Sequence, residues 1–104
     1  MREADLQRRV RAFMEQNPAR DVQVRHIDLT SEIGELGKEI LKSTNYGQTA
    51  YAPSEAAKEE MGDCLFSLLA LCCAMEIDAG AALDAALRKY ALRLQRTGGM
   101  GSDR

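Results

Sequence analysis

Apolar residues recur at intervals of three and four along most of the chain, which is the spacing that places side chains on one face of an α-helix. The first such segment covers residues 2–16, and the second ends near Ser43. A third covers residues 54–76, and a fourth follows Asp78. No segment alternates apolar and polar residues in the manner of a β-strand. The pattern therefore predicts an all-α domain with four helices.

Local sequence indicates where these helices stop and start. Asn17-Pro18 predicts a helix end, because proline disfavours helical geometry in the residue before it. Residues 44–53 contain Asn, Gly and Pro and predict a loop. Ser54 and Asp78 are residue types that cap helix N-termini. The glycine-rich residues 97–104 predict a flexible tail. The face of the fourth helix expected to point inward comprises Leu83, Leu87, Ala91 and Leu94.

Length and composition narrow the class of protein. A chain of 104 residues suffices for one domain, and a net charge of -2 gives no electrostatic reason to expect nucleic acid or a membrane as a partner. Cys64, Cys72 and Cys73 form no CxxC pair, which favours free thiols in a reducing compartment. Residues 64–75, the longest nearly uncharged stretch, fall short of the roughly 20 residues that span a bilayer. Neither end carries a targeting pattern, so a cytoplasmic protein is expected.

Two acidic tetrapeptides carry the candidate chemistry. Glu32-Ile33-Gly34-Glu35 and Glu60-Met61-Gly62-Asp63 share the order acid, apolar, glycine, acid and lie 28 positions apart. Residues three apart are neighbours on a helix, so each tetrapeptide presents two carboxylates together. At about 100° per residue, both acid pairs lie at the edge of apolar stripes centred on Ile33 and Met61, which we expect to be buried. The glycines are expected to let the two helices approach closely.

Four carboxylates gathered at one place repel one another unless a cation lies among them. Oxygen ligands favour hard divalent ions, and the chain has no Glu-x-x-His motif of the di-iron bundles, so Mg²⁺ is expected, with Mn²⁺ as an alternative. His26, the one histidine, is expected to be a partly exposed helix residue. Two groups of basic residues either bind phosphate or form solvated faces. One group is Lys38 and Lys42 on the second helix, and the other is Lys89, Arg93 and Arg96 on the fourth.

These segments resemble the signature of the MazG-like all-α nucleoside triphosphate pyrophosphohydrolases. Residues 29–36 and 59–65 are similar to the two core segments of that family, and residues 77–93, with Lys89-Tyr90-x-x-Arg93, are similar to its closing segment. The resemblance implies one MazG-like helical domain over residues 1–96. Its fold would be a bundle of four to five helices, completed by assembly into a homodimer or homotetramer.

The resemblance also implies a reaction, which is Mg²⁺-dependent hydrolysis of a (deoxy)nucleoside triphosphate between its α and β phosphates. The products would be the monophosphate and pyrophosphate, and the role would be house-cleaning. The implied metal ligands are Glu32, Glu35, Glu60 and Asp63. Lys89 and Arg93 match basic positions that contact phosphate in relatives, and we add Lys38 as a third phosphate-binding candidate.

The chain departs from the family at one position. Many members carry another glutamate directly before the first motif, where this chain has Ser31. Serine is a poor base near neutral pH, so Glu39, Glu59 or a hydroxide on the metal would have to activate the attacking water, with Glu35 as a further catalytic candidate. Three alternatives to the main hypothesis stay open. They are a phosphoribosyl-ATP pyrophosphatase-like enzyme, a catalytically silent helical dimerisation module and, as a distant third, a nucleic-acid-binding bundle.

Overall fold

The computed structural model describes residues 3–16 and 21–99. These residues form four α-helices and contain no β-strand, which confirms the predicted all-α fold. The helices are α1 (Glu3–Gln16), α2 (Val22–Ser43), α3 (Glu55–Ala74) and α4 (Ala79–Thr97). The predicted helix end at Asn17-Pro18 and residues 100–104 of the predicted tail lie outside the described residues.

Side-chain caps set the starts of α2, α3 and α4. The Ser54 hydroxyl accepts a hydrogen bond of 3.0 Å from the backbone N–H of Ala57, and the Asp78 carboxylate accepts one of 3.0 Å from the N–H of Ala81. Each cap satisfies an N–H group that has no partner within its helix. Asp21 caps α2 in the same way. The predicted starts at Ser54 and Asp78 are therefore confirmed.

A buried glutamine joins α1 to the sharp turn between α3 and α4. The axes of these two helices differ in direction by 102°, and Glu76 in the turn has a φ of 56°. Gln7 is buried, and its Nε2 donates a hydrogen bond of 2.8 Å to the carbonyl of Ile77. Its Oε1 accepts one of 2.8 Å from the N–H of Ala79. One side chain thus fixes α1 against the start of α4.

The central helix of the molecule is α3. It packs against α2 on one side and α1 on the other, and α1 also contacts α4. Cys64 is buried, as predicted, whereas the thiols of Cys72 and Cys73 are partly exposed. The buried apolar residues among those described are few and mostly small. They are Met14, Ala57, Cys64, Leu69 and Ala70.

The prediction of which faces are buried is wrong at the centres of the two apolar stripes, although Cys64 and Leu69 of the predicted α3 stripe are buried. Ile33 and Met61, the centres of the predicted stripes, are each 55% exposed. The less exposed side of α2 instead passes through Leu29, Glu32 and Leu36. Helical spacing defines an apolar face but not the neighbour that covers it, and α2 turns its acidic edge toward α3. The predicted inner leucines of α4 are also exposed. They are Leu83, Leu87 and Leu94.

The two motif glycines do not mark a close approach of α2 and α3. Apart from its chain neighbours and the backbone of its own helix, a Cβ atom built on Gly34 or Gly62 would meet no atom within 4 Å. The expectation that these glycines admit a neighbouring helix is therefore wrong for contacts within this chain.

Over the described ranges, no one helix has the length and apolar character needed to cross a bilayer. Among the helices that the structure describes, α3 and α4 reach that length and composition when they are counted together as a bent pair.

Candidate metal centre

Three of the four predicted carboxylates converge between α2 and α3. Glu32 comes from α2, and Glu60 and Asp63 come from α3. Each offers one carboxylate oxygen, and the three oxygens lie within 4.8 Å of one another. Glu60 and Asp63 share a face of α3 because they are three residues apart. Glu32 meets them because it lies on the side of α2 that packs on α3. We call these three residues the acidic cluster.

Glu35, the fourth predicted carboxylate, lies one turn beyond Glu32 and is not one of the three that meet within 4.8 Å. Its Oε2 is 3.9 Å from the Nζ of Lys38 on the same helix. Its negative charge nevertheless contributes to raising the pKa values of Glu32 and Glu60. Glu35 therefore lies within electrostatic range of the acidic cluster but outside its close contacts.

Two members of the acidic cluster, Glu32 and Glu60, have raised pKa values. Partial burial is the largest cause of the raised pKa of Glu32, followed by the charge of Asp63 and a hydrogen bond with the Asp63 carboxyl group. Partial burial also raises the pKa of Glu60, and the charges of Asp63 and Glu32 add to the effect. Burial is the largest cause of the raised pKa of the Cys64 thiol, and the charges of the same three carboxylates raise it further. A divalent cation would relieve this repulsion. The donors are oxygen atoms only, so they fit a hard ion such as Mg²⁺ or Mn²⁺.

A cavity of about 250 Å³ borders the acidic cluster. Glu32 and Asp63 line it together with Arg25, Asp28, Ser31, Phe66 and Ser67. Ser31, at the position where the resemblance leads us to expect a glutamate, thus faces the same space as two of the clustered acids. The sequence analysis missed Arg25. The available signal was its spacing, since it precedes Glu32 by seven residues and so lies on the same helix face two turns earlier.

The two further acids proposed as water activators differ in position. Glu39 is half-buried on α2, its Oε2 is 3.3 Å from the Nζ of Lys42, and its charge helps to raise the pKa of Glu60. Glu59 is exposed on α3, and its charge is not among those that raise the pKa of Glu60. His26 is exposed on α2, close to its predicted environment.

The basic candidates of α4 gather around an aromatic ring. The Nζ of Lys89 is 5.2 Å from the ring centroid of Tyr90, and the Cζ of Arg93 is 5.9 Å from it. Both distances fall within the range of cation–π attraction. The main partner of α4 is α1, whereas the acidic cluster lies between α2 and α3. Phosphate binding by Lys89 and Arg93 therefore stays a prediction.

The fold and the acidic cluster together define an all-α protein with an oxygen-donor site suited to a divalent metal ion. A family model described as the MazG nucleotide pyrophosphohydrolase domain matches residues 25–97, which include both acidic tetrapeptides. The chain belongs to this family, and the resemblance noted from the sequence is confirmed. Searches of curated proteins and of solved structures gave no match.

Proposed function

We propose that the protein is a Mg²⁺-dependent pyrophosphohydrolase that cleaves a (deoxy)nucleoside triphosphate between the α and β phosphates. The observation that supports this most strongly is the convergence of Glu32, Glu60 and Asp63 in a chain of the MazG family. The family supports a nucleotide substrate and a divalent metal. The choice of Mg²⁺, with Mn²⁺ as a substitute, rests on the carboxylate donors. A house-cleaning role and a cytoplasmic location belong to the same proposal.

The acidic cluster would hold the ion, with Glu35 as a fourth carboxylate beside it. When bound, Mg²⁺ polarises a phosphoryl group and neutralises charge that develops during its transfer. The Glu39 carboxylate accepts a proton from the attacking water, whose oxygen forms a bond to the α-phosphorus. The bond from that phosphorus to the bridging oxygen breaks, and pyrophosphate leaves. Lys38, Lys89 and Arg93 offset the negative charge of the leaving group.

We propose further that the working form is a homodimer or homotetramer. The support is the exposure of large apolar side chains on α2, α3 and α4, which a lone chain leaves in contact with water. They include Ile33, Ile40, Leu41, Met61, Leu65, Leu68, Leu83 and Leu87.

A substrate panel tests this function. Canonical and modified (deoxy)nucleoside triphosphates and phosphoribosyl-ATP are incubated with the protein, with Mg²⁺ or with a chelator, and the products are resolved. We expect monophosphate and pyrophosphate in equal amounts, formed only with Mg²⁺. If phosphoribosyl-ATP were the one compound of the panel that is cleaved, the protein would instead be a phosphoribosyl-ATP pyrophosphatase-like enzyme. A silent dimerisation module would cleave no substrate and gain no thermal stability from Mg²⁺.

A further inference from the structure

Arg25 is an unusually buried cation for its position near the start of α2. Its side chain is 17% exposed, and its Nη2 is 3.3 Å from Oδ2 of Asp28. Its Nε is buried and has no hydrogen-bond partner within the part of the chain that the structure describes. A buried donor without an acceptor costs free energy. An acceptor brought by a ligand would remove that cost.

A second arginine–aspartate pair shows that the pairing alone does not require burial. Arg8 Nη1 lies 2.8 Å from Oδ1 of Asp5, again three residues apart on one helix, and the Arg8 side chain is 71% exposed. Arg25 differs because it borders α3, where Phe66 and Ser67 line the same cavity. Its burial thus reflects its place beside α3 rather than the pairing with its aspartate.

Arg25 lines the same cavity as two of the acids that would hold the metal. Arg25, Glu32 and Asp63 line one space of about 250 Å³. This volume lies below the range typical of pockets that enclose a whole drug-sized ligand, and it suits phosphate groups. A phosphate offers oxygen atoms to a metal ion and to a guanidinium at once, and the planar fork of arginine matches its geometry.

We propose that Arg25 binds a phosphoryl oxygen of the triphosphate, and of the pyrophosphate product, next to the metal ion. Asp28 positions the guanidinium through their ion pair. The inference rests on the proposed function and adds a phosphate ligand to it that comes from α2 rather than α4.

Calorimetric titration with inorganic pyrophosphate in the presence of Mg²⁺ tests this role. We expect Arg25→Gln to weaken pyrophosphate binding by about 10- to 100-fold, because it removes hydrogen bonds between charged groups. Arg25→Lys keeps the charge but loses the fork, so its affinity should be intermediate. Arg8→Gln is the matched control, and it should bind pyrophosphate as the wild type does. An unchanged affinity in Arg25→Gln would overturn the proposal.

Two further measurements separate phosphate binding from a structural role. Arg25→Gln should retain the helical circular dichroism of the wild type and its binding of Mg²⁺ alone. Asp28→Asn keeps the guanidinium but loses the ion pair that positions it, so its loss of pyrophosphate affinity should be smaller than that of Arg25→Gln. If Asp28→Asn weakened binding as much as Arg25→Gln, the pair would be structural and the inference would be wrong.

The outcomes for Arg25 and for the proposed function can be told apart. Binding of pyrophosphate that depends on Arg25, without hydrolysis of any nucleotide by the wild type, would support the Arg25 site and contradict the enzymatic function. Hydrolysis by the wild type with unchanged kcat and KM in Arg25→Gln would contradict the Arg25 inference alone. A wild-type protein that binds no pyrophosphate with Mg²⁺ would also overturn it.

Discussion

Two carboxyl groups of the acidic cluster, those of Glu32 and Glu60, have raised pKa values. Glu32 and Glu60 are partly removed from water, and both experience the charge of Asp63. Protonation and metal binding are two ways to relieve the same repulsion, so protons and the proposed Mg²⁺ ion would compete for these oxygens.

This competition gives a pH dependence with a definite sign. The pKa values of Glu32 and Glu60 lie above their ordinary value of 4.5 in the folded chain. Between 4.5 and those raised values the folded chain binds more protons than the unfolded chain, so without metal these two groups contribute less stability as the pH rises. Mg²⁺ binds the ionised form, so its stabilising effect should grow over the same interval. Melting temperatures measured against pH with Mg²⁺ and with a chelator should diverge as the pH rises. Parallel curves would contradict the cluster's role.

The two candidate water activators, Glu39 and Glu59, can be distinguished by their positions and by substitution. Glu39 is close enough for its charge to raise the pKa of Glu60, whereas Glu59 is exposed and makes no such contribution. We expect Glu39→Gln to lower kcat for pyrophosphate release by about 100-fold or more, as loss of a general base does. Glu59→Gln serves as the control and should leave kcat near its wild-type value. Equal losses in the two variants would exclude Glu39 from this role.

At the scale of helices, one contact between distant parts of the chain holds α1 in place. Gln7 bonds both Ile77 and Ala79 in the turn between α3 and α4. Gln7→Leu leaves two backbone groups without that partner, so the free energy of unfolding should fall by about 2 to 4 kcal/mol. Gln95→Leu makes the same change at an exposed site of α4 and should cost less than about 0.5 kcal/mol. Urea denaturation measures both, and a similar small loss in the two would show that the Gln7 bonds contribute little.

Interactions between residues close in the sequence allowed the helices to be predicted. Contacts between residues far apart in the sequence could not be predicted, and they determine how the helices pack. Ser54 and Asp78 act as caps within three residues, so the sequence contains the whole interaction. The three-residue spacing of Glu60 and Asp63 likewise places them on one face of a helix. The contact of Gln7 with Ile77 joins residues 70 positions apart, and no periodicity within α1 indicates it. Helical spacing also predicted the apolar face around Ile33, but it does not indicate which helix or partner chain packs against that face.

At the scale of the whole molecule, the exposed apolar face of α2 is the feature that a single chain leaves unexplained. Ile33 is 55% exposed, and Ile40 and Leu41 on the same helix are also exposed. We expect a solution mass of at least twice the 11.5 kDa of one chain. Ile33→Lys would place a charge on this face and should shift the mass toward a single chain, whereas Gln23→Lys on an exposed position of α2 should not. Light scattering after size exclusion measures the mass. A wild-type monomer at every concentration would contradict the assembly.

The account depends most on one divalent ion held between α2 and α3, and binding of Mn²⁺ measures this directly. The electron paramagnetic resonance signal of free Mn²⁺ should fall when wild-type protein is added and return when excess Mg²⁺ displaces it. Asp63→Asn removes one of the three clustered carboxylates and should leave the free signal almost unchanged at the same concentrations. If Asp63→Asn bound Mn²⁺ as tightly as the wild type, the ion would lie elsewhere and the proposed site would be wrong.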